Sequence, residues 1–113
     1  MELYTVNLEA GRPTVAVARQ LMLSRLRTAR AGGVRVVKLI HGYGSSGAGG
    51  AIRADVHRQL AEKKAAGSIR AWVRGEDFSP FDADSRAILE ACPPLRKDPD
   101  LIRQNHGVTF VLL

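Results

Sequence analysis

One cysteine, six aromatic side chains and eleven acidic residues are all that this 113-residue sequence holds of those classes. A lone Cys92 can form neither an internal disulfide nor a cysteine-based zinc site, which agrees with a reducing compartment. At the end of a helix and with no histidine near it in sequence, it reads as a packed residue rather than a nucleophile. Six aromatics are too few for the base-stacking platform of an RNA-recognition sheet, so Trp72 is expected in or beside the core. No run approaches the ~18 apolar residues of a membrane span. Met1-Glu2-Leu3-Tyr4 has neither the basic nor the apolar region of a secretory leader, so a soluble, cytoplasmic protein with no membrane partner is expected. The three histidines, His41, His57 and His106, have no metal-ligand spacing, and neither a metal nor a cofactor is expected. What is present, 45% hydrophobic and 25% charged residues, suits one domain over residues 1–113 with one real core.

Seventeen Lys+Arg give a net charge of +6, unevenly placed. Residues 1–74 carry 13 basic and 4 acidic side chains, a net +9, and residues 75–113 carry 4 and 7, a net −3. A basic body suits a polyanion, because each neutralised phosphate releases condensed counterions. Charge alone fits solvated helix faces equally well.

Leu3 to Leu8 reads as a strand, stopped by Gly11 and Pro13. Thr14 as cap, or Pro13 as first residue, starts a helix that runs to about Arg30 and ends at Gly32-Gly33. Val15, Ala18, Met22, Leu26 and Ala29 form its apolar stripe, with Arg25 at an edge. Val34 to Ile40 is almost continuously apolar and β-branched, a strand buried on both faces. Ile52, Val56 and Leu60 mark a second amphipathic helix from Ala51 to about Ala66, closed by Gly67. Ser68 to Arg74 alternates as a half-exposed strand. Residues 75–106 are acidic, contain four of the five prolines, and hold a short helix near 82–91 that stops at Pro93-Pro94. Gly107 to Leu113 is a closing buried strand. This order specifies an α/β domain of two or three layers with right-handed crossovers.

The most informative stretch is His41-Gly42-Tyr43-Gly44-Ser45-Ser46-Gly47-Ala48-Gly49-Gly50, with five of the eleven glycines between a strand and a helix. Exposed backbone amides and the helix dipole make such a turn a site for phosphate. Gly42 and Gly47 have the spacing of a P-loop, but Ala48-Gly49 stand where Lys-Ser/Thr is needed, so it is not one. Gly42-x-Gly44-x-x-Gly47 matches the dinucleotide fingerprint in letters, while the chain is too short for the two-half fold and lacks the later acid. A nucleotide or other anionic ligand stays as an alternative occupant.

Lys38-Leu39-Ile40-His41-Gly42-Tyr43-Gly44-x-x-Gly47, followed by Ile52-Arg53, Val56 and Leu60, resembles the second motif of the Smr (small MutS-related) domain family. Asn105 to Leu113 resembles that domain's closing Gly-x-Thr strand. The resemblance implies a two-layer β-α-β-α-β-β sandwich with a mixed four-stranded sheet, like the C-terminal domain of a translation initiation factor, with an extra helical insert at residues 75–106. It implies DNA or RNA as partner and, in several members, endonuclease activity. The family's first motif, Leu-Asp-Leu-His-Gly, corresponds here to Val6-Asn7-Leu8-Glu9-Ala10-Gly11. Asparagine replaces the acid and Glu9 stands near the place of the histidine, which removes that imidazole as general acid or base.

The expected nucleic-acid site is therefore His41, Gly42, Tyr43, Gly44, Gly47 and Arg53, with arginines of the first helix extending the footprint. Arg53 opposes the dipole of its helix, which suits a role in meeting an anion. Tyr43 can stack on a base. His41 and Glu9 are the candidate catalytic pair of an alternative nicking activity. Lys38, Arg58, Lys63 and Lys64 read as solvated charges, and His57 as a surface residue. His106 reaches the site only if the last strand lies beside the second. The acidic 75–106 segment is a candidate cover for the basic face, and the sequence leaves a homo-oligomer open.

Overall fold

The computed structural model describes residues 2–43 and 49–113. Four strands, β1 (Leu3–Asn7), β2 (Val36–Ile40), β3 (Ala71–Arg74) and β4 (Val108–Leu112), form one sheet in the order β1-β2-β4-β3. β1 and β2 are parallel, and β4 runs antiparallel to both β2 and β3. Three α-helices accompany it among the described residues: α1 (Val15–Ala31), α2 (Gly49–Ala65) and α3 (Ala83–Ala91). The mixed four-stranded sheet with a helical insert before the last strand is the architecture expected from the sequence.

Local chemistry explains the boundaries. Thr14, not Pro13, caps α1, its side chain accepting from the Val17 amide at 3.2 Å. Gly33, at φ +76°, takes the left-handed turn that ends the helix. Asp82 caps α3 by accepting from the Ser85 amide, and the helix stops before Pro93-Pro94, which open a 3-10 turn over Pro93–Lys97.

Alternation along the strands divides the sheet into two faces. Val37, Leu39 and Val111 pack with Ala18, Met22, Leu26 and Ala29 of α1 and Ile52, Val56 and Leu60 of α2. Val36, Val73, Val108, Phe110 and Leu112 pack with Ile88 and Leu89 of α3, and with Phe78, Cys92 and Leu95 of the insert. The insert thus covers the sheet face opposite α1 and α2. Phe78 lies on Phe110, ring centroids 4.0 Å apart.

That cover overturns the expectation of a solvated Lys38. The residue projects from β2 toward the insert, where its Nζ meets Asp98 at 3.0 Å and Asp100 at 2.6 Å, 5.4 Å from the centre of the Phe110 ring. Burial works against its charge, but the hydrogen bonds to Asp100 and Asp98 more than offset it, and its pKa is raised. On the other face, Asp55 of α2, 2% exposed, takes Arg19 of α1 in a bidentate pair at 2.6 and 2.9 Å, and Arg58 at 3.0 Å. The clamp ties the two helices of the outer layer together.

Candidate nucleic-acid interface

β2 leads directly into His41-Gly42-Tyr43. The amides of His41 and Gly42 both donate to the Gly107 carbonyl, at 2.9 and 3.1 Å, which pins the start of the turn to the start of β4. Gly42 sits at φ +71°, and a Cβ there would run into Oε2 of Glu9; the end of the β1 segment thus borders the turn. A Cβ on Gly107 would come within 3.3 Å of the Tyr43 ring. Tyr43 itself is 63% exposed, open to a ligand on its outer side. Gly44 and Gly47, the other glycines assigned to the site, lie outside the described residues.

Beneath the turn is a buried polar chain. His41, 0% exposed, approaches the Gly42 carbonyl with Nδ1 at 2.6 Å and the Thr109 hydroxyl with Nε2 at 2.8 Å. A carbonyl only accepts, so the proton is on Nδ1, and Nε2 accepts from the Thr109 hydroxyl. That hydroxyl oxygen in turn accepts from Nε2 of His57 at 3.0 Å. His57 stacks on Trp72 with centroids 5.2 Å apart and meets the His41 ring edge to face at 5.6 Å. Expected at the surface, it is 9% exposed and belongs to the core. Burial is the main cause holding both imidazoles neutral: it lowers the pKa of His41, and it lowers that of His57 to about 4, with the neighbouring His41 and Arg53 adding to the effect.

Above this chain, at the edge of the turn, Arg53 projects from the first turns of α2. Its Nε donates to the His106 carbonyl at 3.1 Å and its Nη2 to Oε2 of Glu76. Nδ1 of His106 is 3.3 Å from the same carboxylate oxygen. Glu76 is carried by a 3-10 turn, Gly75–Asp77, that follows β3 directly. The turn can press this closely on β4 only because residue 75 is glycine: a Cβ would strike the Asn105 carbonyl oxygen and lie 2.6 Å from the Val108 side chain. Burial raises the pKa of Glu76, but the turn's backbone amide, Arg53 and His106 prevail and lower it on balance.

The Smr domain family model matches residues 11–77, more than half of the chain. The chain belongs to the Smr domain family. Its fold is similar over 100% of its length to 98% of the Smr domain of Thermus thermophilus MutS2, with a TM-score of 0.57 at 23% identity. No curated protein matches it. The matched span of this Smr domain takes in the glycine turn and all of α2, and ends at the Glu76 turn; it begins beyond Asn7-Leu8-Glu9, the segment where the first motif is altered.

The structure of the Smr domain therefore brings Glu9, Gly42, Tyr43, Arg53, His106 and Glu76 to one rim, and puts the His41 ring under it rather than on it. His106 arrives there because β4 does pair with β2. In the sequence Glu76 carries no assigned role, and Thr109 appears only as the threonine of the closing Gly-x-Thr strand. Thr109 is the one polar letter in a buried strand, which was a usable signal, whereas Glu76 has none beyond the need of Arg53 for an anion.

Proposed function

We propose that this Smr domain binds nucleic acid by its phosphate backbone, at the 42–50 turn and Arg53, with residues 75–106 as an insert in a single domain over 1–113. The observation that carries the reading is where the positive charge sits in a domain of this family. α1 bears Arg25, Arg27 and Arg30, all exposed, beside the Asp55-paired Arg19, has no acidic residue, and packs beside α2 in the same outer layer as Arg53. α3 and the Pro93–Lys97 turn of the insert lie across the sheet from that layer, and the insert reaches it at its edges, through Glu76 and His106 at Arg53 and Asp84 at Lys64. Phosphate contacts of this kind add affinity without reading sequence. His41 supports the turn from below, through its bond to the Gly42 carbonyl, and Tyr43 offers a ring for stacking.

Binding is better supported than nicking. A general base needs a free ring nitrogen facing the reacting group, and both nitrogens of His41 are engaged in the interior. Fluorescence anisotropy with single- and double-stranded DNA and RNA tests the reading: affinity should fall steeply with salt, and Arg53→Ala should weaken it at low salt. Wild-type protein that binds none of these at about 50 mM salt ends the proposal. Supercoiled plasmid or RNA converted to product above a His41→Ala control would restore the nuclease alternative.

A further inference from the structure

We propose that Glu76 determines the ligand class of the Arg53 site, acting as an internal anion that single phosphates fail to displace and a nucleic-acid strand does. The inference rests on the phosphate-binding reading above. Arg53 stands in the first turns of α2, where the helix dipole disfavours a cation and an anionic partner is required. In the described structure that partner is the Glu76 carboxylate, which takes Nη2 while the His106 carbonyl takes Nε. A phosphodiester carries one negative charge, as a carboxylate does, and the oxygens of both accept from the guanidinium fork. Ligand and Glu76 therefore compete for one donor group.

The competition is biased by covalent connection. Glu76 is delivered by a short turn clamped between β3 and β4, so it returns to Arg53 without the loss of translational freedom that a free phosphate incurs. A lone phosphate has only this one contact with which to overcome that advantage. A polymer gains neighbouring contacts with the arginines of α1, and the counterion release that goes with each. When Arg53 turns to the strand, Glu76 keeps His106, 3.3 Å away and 57% exposed at its side chain, as a second partner. Oε1 of the same carboxylate is buried and has no hydrogen-bond partner among the described residues, so Arg53 and His106 are the cationic or donor side chains that Glu76 has to exchange between.

The test compares wild type, Glu76→Gln, Arg53→Ala, the Arg53→Ala/Glu76→Gln double variant and Glu90→Gln, which removes one exposed insert carboxylate on the far face of the sheet. Anisotropy with a labelled oligonucleotide and calorimetry with inorganic phosphate and AMP are the readouts. Glu76→Gln should bind the oligonucleotide about tenfold more tightly at about 50 mM salt, with the slope of log affinity against log salt steeper by about one phosphate contact. It should also gain measurable phosphate or AMP binding that wild type lacks. Glu90→Gln should match wild type, and the gain should vanish in the double variant. In wild-type protein, which needs no substitution to fold, the Glu76 side-chain carboxyl carbon resonance should move on saturation with oligonucleotide and stay in place with AMP. Unchanged affinity in Glu76→Gln, an equal gain in Glu90→Gln, or a static Glu76 resonance at saturation overturns the inference while leaving nucleic-acid binding intact. Failure of wild type to bind any oligonucleotide removes the underlying reading instead.

Discussion

Lowering the pH from 7 to 4.5 should destabilise this protein, and His57 is the reason. Its pKa is held at about 4 against an ordinary 6.5, chiefly by burial between Trp72, His41 and Thr109. The groups bearing on it are His41, Arg53 and Arg74, which oppose a proton, and Glu76, which favours one only weakly. Because the folded state resists the proton and the unfolded chain accepts it, the unfolded state binds more protons between pH 6.5 and 4. Stability is therefore full above about 6.5 and falls as the pH drops through that window. At 1.36 kcal/mol per unit, the shift corresponds to about 3 kcal/mol by pH 4, a large share of the 5–15 kcal/mol typical of a domain. His41, also lowered by burial, acts in the same direction. Asp55, Asp100 and Glu76 have depressed values, so their contributions are lost only as the pH falls through and below the ordinary carboxylate range, from the lower end of the His57 window downward. Urea denaturation at half-unit pH steps reads the slope directly. His57→Phe keeps an aromatic ring against Trp72 and removes the titration, so its stability should fall less steeply by up to one proton in the same range. A wild-type stability that is flat from pH 6.5 to 4.5, or a His57 ring that titrates near 6.5 by NMR in the folded protein, refutes the reasoning.

Three further outcomes can be checked by denaturation. Lys38→Ala leaves Asp98 and Asp100 facing each other under the insert and should cost about 3–5 kcal/mol, whereas Lys38→Met combined with Asp98→Asn and Asp100→Asn should recover most of it; equal losses would mean the insert does not bury this charge. Gly75→Ala puts a Cβ into backbone atoms of Asn105 and Val108 and should cost about 3 kcal/mol or more, against about 1 kcal/mol for Gly42→Ala, where the obstacle is the flexible end of Glu9 and the residual cost is the positive φ. Arg19→Ala should lower the melting temperature more than Asp55→Ala does, since water can reclaim both freed arginines, whereas the buried Asp55 carboxylate loses its bidentate partner and keeps Arg58 alone; the reverse order would show that Asp55 is not buried in solution.

The elements that local chemistry determines were legible in the residues. α1 begins and ends where Thr14 and Gly32-Gly33 put it, β2 and β4 are the two continuous apolar runs, and Ile52, Val56 and Leu60 do face the core. The failures share one cause, which is that the partner of a polar residue is far away in sequence. α2 packs on the sheet and is flanked by α1, so it buries a wider arc than its Ile52-Val56-Leu60 stripe, taking in Asp55 beneath Arg19 and His57 against Trp72. Asp55 is satisfied from 36 residues away and His57 from 52. Lys38 follows the strand alternation correctly, and only the insert, 60 residues on, turns its face from solvent to interior.

The same distance effect decides how the site should be understood. In the sequence, His41 stands out by its glycine neighbours and Arg53 by its unfavourable place on a helix, and both invite a direct role with a ligand. In the fold their positions part: His41 is committed downward to Gly42 and Thr109, and Arg53 outward to the rim, where Glu76 already meets it. The imidazole sets the shape of the turn, and the guanidinium sets its charge. A substitution at His41 should therefore be read in stability first and in affinity second, while one at Arg53 or Glu76 should move affinity in opposite directions with smaller change in the core. That opposition distinguishes a rim under competition from a patch that is merely basic, because in a merely basic patch any lost carboxylate would serve as well as Glu76.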